Sequence, residues 1–169
     1  ATRTSATVKE TPQSIAVLNK EILADQQLFR VSEISEAVAG VTQFRPDQFT
    51  SRGFAIGQSY LNGNRTVISS DFSATSVTAH YERVDVVKGP AAALFGNSSP
   101  GGVVNAVTKK PLKTRKASAS FTVGSFETFR ATTDLTGPLN DEKTLLYRLN
   151  TVWENAETFR DFQVNRSLL

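Results

Sequence analysis

Chemistry that makes or breaks bonds needs a nucleophile with a base, an acid–base pair, or a metal-ligating cluster, and this sequence assembles none of them. It has no cysteine and a single histidine, His80. That removes disulfides, thiolate metal sites and Cys–His nucleophiles, and a lone histidine cannot build a His-rich zinc site. Ser98-Ser99 falls in the turn-forming run Asn97–Gly102, with no histidine at a recognisable spacing to activate it. No two carboxylates stand out as an acid and base. His80 itself reads as a partly buried structural residue rather than a ligand. The residue types favour binding over catalysis.

Charge narrows the partners. There are 11 basic against 9 acidic residues up to Pro111, and 8 against 7 after it. Neither half is a basic arm, so no nucleic acid is expected, because phosphate binding needs clustered positive charge. The chain has no apolar run of about 18 residues, hence no membrane-spanning helix. Ala1–Glu10 lack the apolar core of a signal peptide. The chain reads as a processed or excised piece, truncated after Leu169.

The elements that must position any site come in two styles. Ser14–Leu18 is a short apolar strand with Pro12 at its edge. Lys20–Leu28 reads as a helix with Asn19 as N-cap. A second helix starts at Ser32, carries Ile34, Ala37, Val38 and Val41 at helical spacing, and ends at Gly40 in a left-handed cap. Thr42–Ser76 is polar and loop-rich, with short strands only near Phe54–Ile56 and Tyr60–Leu61; its aromatics (Phe44, Phe49, Phe54, Tyr60, Phe72) argue against disorder. Ala79–Arg83 fits one helical turn, Val84–Lys88 a strand, Ala91–Phe95 a short helix and Val103–Thr108 a last strand. Intermixed short helices and strands predict a small α+β domain.

After Pro111 the period changes to two. Ala119, Phe121 and Val123 alternate with polar neighbours, as do Phe129, Ala131, Thr133 and Leu135, then Tyr147, Leu149, Thr151 and Trp153. Segments of about ten residues suit tilted strands crossing a bilayer, with Tyr147 and Trp153 at the two ends of one apolar face. The same alternation fits an ordinary antiparallel meander with one wet face. A fourth segment begins near Phe162.

The run Tyr81-Glu82-Arg83-Val84-Asp85-Val86-Val87-Lys88-Gly89-Pro90, continued by Phe95-Gly96, a polar loop, Gly101-Gly102 and a strand containing Asn105, resembles the signature of TonB-dependent receptor plugs. Thr11–Ile15 resembles the opening T-P-Q-S-I of such plugs, and Arg52-Gly53-Phe54 their R-G-F. Gly57-Gln58 with Tyr60-Leu61-Asn62-Gly63 is similar to the segment that follows in ferric hydroxamate receptors.

The resemblance implies a plug over residues 1–111 and, over 112–169, the first three to four strands of an incomplete 22-stranded β-barrel. It places the protein in the outer membrane of a Gram-negative bacterium, with a periplasmic N-terminus. The plug would gate uptake of a ferric siderophore, hydroxamate type favoured, with no bound cofactor and no metal site of its own. Its partners would be its own barrel and TonB, with ExbB and ExbD, acting through a box upstream of Ala1. Cobalamin, a glycan or another metal chelate are alternative substrates, and a soluble α+β protein-interaction module is the alternative outside the family. The resemblance offers Arg45, Gln58 and Phe72 for ligand contact. It sets Arg52 and Lys88 against barrel glutamates, Lys88 standing where many relatives carry arginine, so that it offers a point charge without a bidentate fork. A solvated strand-end lysine is the alternative there. Gly53, Gly89, Pro90, Gly96, Gly101 and Gly102 would shape the tight turns.

Overall fold

A computed structural model describes residues 13–45, 48–56, 58–66, 77–89, 99–125, 127–157 and 164–168, the side chains of 58, 66, 157 and 164–168 excepted. The expected helix over Ala91–Phe95 lies outside the described residues, as do Pro90, Gly96, Phe72 and Thr11-Pro12. The chain divides into two compact units, 1–109 and 110–169.

The first unit is built on a mixed five-stranded sheet. Its strands are β1 (Ser14–Asn19), β5 (Gln58–Leu61), β6 (Asn64–Thr66), β7 (Tyr81–Lys88) and β8 (Gly102–Thr108), in the order β1-β7-β8-β5-β6. Only β5 and β8 run parallel; the other pairs are antiparallel. A three-stranded sheet joins β2 (Val41–Arg45), β3 (Gln48–Ser51) and β4 (Phe54–Ala55). These two strands before Phe54 were not evident in a stretch that reads as polar loop. Val41 and Phe49 are buried while Thr42 and Gln43 face out, so only a few apolar anchors hold a surface sheet.

Helix α1 spans Lys20–Asp25, and the Asn19 side chain accepts from the Ile22 N–H at 2.9 Å, as the cap reading requires. It stops short of Leu28 because Gln27 turns left-handed, φ 53°. The second helix is shorter than its apolar spacing predicts. A 3-10 turn over Val31–Glu33 precedes α2 (Ile34–Ala37). Ser32 lies inside that turn and is not the cap; the Arg30 N–H donates to the Glu33 carboxylate at 3.0 Å instead. Gly40 takes the expected left-handed conformation, φ +75°. Leu18, Leu23, Leu28, Val31, Ile34, Val38, Val84, Val86 and Val104 form the core between these helical turns and one face of the sheet. A smaller cluster of Tyr60, Val87 and Val103, with Ile15, lies on the sheet's other face.

The second unit is an antiparallel sheet in the order β12-β11-β10-β9. Its strands are β9 (Lys116–Gly124), β10 (Thr128–Pro138), β11 (Leu146–Glu157) and β12 (Val164–Leu168). Each segment read from period two is a strand, and β10 and β11, of 11 and 12 residues, are longer than the strands of a typical soluble sheet.

Candidate functional site

The turn motifs of the first unit converge. Arg52-Gly53 is a two-residue hairpin turn between β3 and β4, both residues left-handed at φ 52° and 83°. Asn62-Gly63 makes the same turn between β5 and β6, φ 53° and 81°. Asparagine and glycine tolerate that backbone, whereas an arginine does not without cost, so Arg52 is held by its hairpin. Gly101 packs on the hairpin that follows Arg52: a Cβ there would stand 2.5 Å from the carbonyl oxygens of both Phe54 and Ala55. Ser99 Oγ also donates to the Ala55 carbonyl. Gly102, φ +111°, lies so close to the Val87 carbonyl that any side chain would collide with it. Gly89 bridges back, its N–H donating to Gly101 O at 3.2 Å. Gly101 and Gly102 thus allow backbone to approach backbone where β3–β4 meets β7 and β8, while Gly53 and Gly89 serve by their left-handed turns, with open space around them.

A polar thread crosses the sheet beside them. Arg83 Nε reaches Asp85 at 3.1 Å, Asn105 Nδ2 donates to Asp85 at 3.3 Å, and Asn105 Oδ1 accepts from the Gly63 N–H at 2.9 Å. Asn62 continues it, its side chain pairing with the N–H and hydroxyl of Thr108. Asp85 is fully buried, so the thread supplies the partners a buried carboxylate needs. It fixes the Asn62-Gly63 turn to the central strands. The signal was present in the sequence as Asp85 and Asn105 on neighbouring strands, but their pairing required the register.

Of the candidate contact residues, Arg45 and Gln58 belong to different sheets. Arg45 closes β2 and is exposed, opposite Gln48, whereas Arg52 follows Ser51 at the other end of β3. Gln58 opens β5, paired through its backbone with Val103. Phe72 lies outside the described residues. Beside Arg45 the structure leaves Phe44 open at 52% exposure, an aromatic the sequence reading did not select. Lys88 Nζ donates to the Ala39 carbonyl at 3.1 Å, tying the end of β7 to the turn after α2. The His80 ring lies tilted against that of Tyr81, ring centroids 4.0 Å apart and planes at 52°. Burial, with the Lys109 ammonium, pushes the His80 imidazole below its ordinary pKa, and its buried Nδ1 has no hydrogen-bond partner. Burial raises the Glu33 carboxyl against the opposing backbone bonds from Arg30 and Phe29. Among the described residues no cluster of acids and histidine could hold a metal ion.

In the second unit the two sheet faces differ in kind. Phe121, Val123, Phe129, Leu135, Leu149 and Trp153 share one face and are exposed. The other face carries Arg130 opposite Glu154, ion-paired and nearly fully buried, and Asp134 held bidentately by Arg148 at 2.9 and 2.7 Å. Apolar side chains face out and charges face in.

A mixed sheet tied by close glycine contacts, followed by long strands with an apolar outer face, defines the plug and strand arrangement of outer-membrane receptors. The family described as TonB-dependent Receptor Plug Domain matches residues 7–103, and the chain belongs to it. Among its relatives is the metal-pseudopaline receptor CntO of Pseudomonas aeruginosa, 36% identical across the whole chain and over 24% of that receptor. The ferrichrome outer membrane transporter/phage receptor of Escherichia coli (strain K12) is 32% identical over 92% of the chain and 22% of its own length. The crystal structure of the ferripyoverdine receptor of Pseudomonas aeruginosa superposes with a TM-score of 0.86 at 30% identity, covering 95% of this chain and 22% of that one. The chain therefore spans about a quarter or less of these relatives, all of them receptors or transporters. The chain is part of an outer-membrane receptor of the Gram-negative type.

Proposed function

We propose that the chain is the plug, residues 1–111, and the opening barrel strands, residues 112–169, of a transporter that gates energy-coupled uptake of a ferric siderophore. The observation that carries this reading is the meeting of the Arg52-Gly53-Phe54 hairpin with Gly101-Gly102, which gives a physical reason for the order and spacing of the motifs. A ligand held above the plug is signalled to its N-terminal side. TonB, with ExbB and ExbD, then pulls on a box upstream of Ala1, and no bond of the ligand is broken. Arg45, Gln58 and Phe72, with Phe44, supply donors and an aromatic wall to the chelate. Arg52 and Lys88 face barrel carboxylates; a carboxylate near Lys88 would compete with the Ala39 carbonyl for its ammonium.

A hydroxamate substrate is supported by the Tyr60-Leu61-Asn62-Gly63 hairpin and by the relative named for ferrichrome. Another metal chelate is the second reading, favoured by the 36% identity to a metal-pseudopaline receptor. Binding and uptake assays of the full receptor with ferric hydroxamates and with metal-pseudopaline, in cells with and without TonB, decide between them. TonB-dependent uptake of the ferric hydroxamate is expected. Uptake of the other chelate alone overturns the substrate, and binding of neither with no dependence on TonB overturns the transporter.

A further inference from the structure

Where the chain enters β9, a cleft of about 350 Å³ is lined by Lys113, Arg115, Pro138, Asn140, Asp141 and Lys143. Three cations against one carboxylate share it. Its floor is built rather than loose: Asn140 Oδ1 accepts from the N–H groups of Thr144 and Leu145 at 3.1 and 3.0 Å, and Lys143 holds a left-handed turn, φ 55°.

The cleft also has a definite side. Lys116 pairs with Thr136, so Arg115 falls opposite Gly137, in the same row as Ala117, Ala119, Phe121 and Val123. That row is the exposed apolar face. A Cβ on Gly137 would stand 2.9 Å from Arg115 Cγ, so the glycine leaves the room in which the arginine stem lies across the strand. Tyr147 is the next residue across the sheet from Gly137, and Leu139 and Leu145 stand exposed beside it. An arginine stem on an apolar face with its head at the border, flanked by tyrosine and leucines, is how cations reach a lipid–water interface.

We propose that this cleft binds the headgroup phosphate of an anionic phospholipid, with Arg115, Lys113 and Lys143 as its ligands. Leu139 and Leu145 lie against the acyl chains. The site rests on the reading of β9–β11 as membrane strands. Asn140 holds the turn that carries Lys143.

The test uses the intact receptor in neutral detergent, supplied with equal amounts of phosphatidylglycerol and phosphatidylethanolamine, with retained lipid counted by native mass spectrometry. Phosphatidylglycerol is expected to be preferred, and Arg115→Gln to cut that preference about fivefold, the scale of one basic residue near an anionic surface. Lys116→Gln removes the same charge from the opposite face of β9 and should leave the preference intact. Equal retention of the two lipids by the wild type overturns the site, as does an equal loss in Lys116→Gln. Displacement of phosphatidylglycerol by millimolar inorganic phosphate would show an anion site in place of a lipid site. A receptor that stays inserted but shows no preference removes this site alone, whereas one that needs no detergent removes the membrane reading beneath it.

Discussion

The β7–β8 pair and the β10–β11 pair are both antiparallel, the first with an irregularity between Tyr81 and Arg83 and the second without one, yet they are buried in opposite senses. In β7 every residue from Val84 to Val87 is buried, and the one charge among them, Asp85, is threaded to Arg83 and Asn105. In β10 and β11 Leu149 and Trp153 are half exposed while Arg130 and Glu154 are sealed off. A period-two pattern therefore reports which residues share a face and is silent on which face is wet. The solvent decides. A sheet that shows leucine and tryptophan outward while sealing an ion pair inward is stable only where the outside is itself apolar.

The comparison breaks most visibly at its buried charges. Glu154→Gln leaves the Arg130 guanidinium buried without its carboxylate, which costs about 3–5 kcal/mol. The temperature at which the intact receptor loses its compact, unheated migration in detergent gels should fall accordingly. The double change Arg130→Met with Glu154→Leu removes both charges and should recover most of the loss, since apolar replacements of a buried pair are often neutral or better. A double variant as weak as the single one would mean that the pair has polar partners beyond these strands.

The plug breaks at its backbone contacts. Gly102→Ala forces a Cβ into the Val87 carbonyl at φ +111°, and the backbone strain alone costs about 1–3 kcal/mol. Gly89→Ala sits at a similar φ of +90° but with open space around the new methyl, so it should cost only about 1 kcal/mol. Hydrogen exchange of the β7 and β8 amides in the intact receptor reads the difference. Equal effects would reduce the role of Gly102 to conformation and remove the close approach.

These contrasts also mark what could be read from the residues alone. Asn19 as a cap and the three alternating strands follow from local chemistry and stand as read, whereas Gly40 is left-handed as expected but does not cap the second helix, which ends at Ala37 with Val38 extended. The Ser32 cap does not, because Glu33 reaches back to the Arg30 N–H and a 3-10 turn forms first. Strands β2 and β3 hid in polar sequence since only Val41, Phe49 and Ser51 are buried. The Arg130–Glu154 pair was within reach, as both belong to the polar rows of adjacent alternating segments. Its burial was not, because sequence parity carries no information on what covers a face. That β2 with Arg45 and β5 with Gln58 belong to different sheets could not be read from the residues alone.

A smaller effect tests the plug through its one histidine. The His80 pKa is lowered in the folded state, so the unfolded chain binds the proton more readily. The resulting stability is complete above the unfolded value of about 6.5 and is lost as the pH falls toward the folded value. Lys109, whose N–H donates to the His80 carbonyl at 3.0 Å, adds to the cost of a charged imidazole. Exchange at Tyr81 and Lys109, corrected for its intrinsic pH dependence, should quicken between pH 7.5 and 5.5, and His80→Asn should flatten that change. An unchanged profile in the variant would assign the response to the carboxylates.

The smallest change in stability belongs to Arg52, and it separates a structural cation from a working one. At φ 52° an arginine carries a strain that glycine does not, of about 1–2 kcal/mol. Arg52→Gly relieves it but gives the unfolded chain more freedom, worth about 0.5–1 kcal/mol, so the two nearly offset. Protection of β3 and β4 should therefore stay within about 1 kcal/mol of wild type, the remainder of those two terms. If the guanidinium meets a barrel carboxylate as proposed, uptake should nonetheless change, because the charge is lost while the hairpin is kept. Arg52→Lys then restores charge without the bidentate fork and should recover uptake only in part. Full uptake by Arg52→Gly would leave Arg52 as a turn residue tolerated at a position where glycine would serve as well.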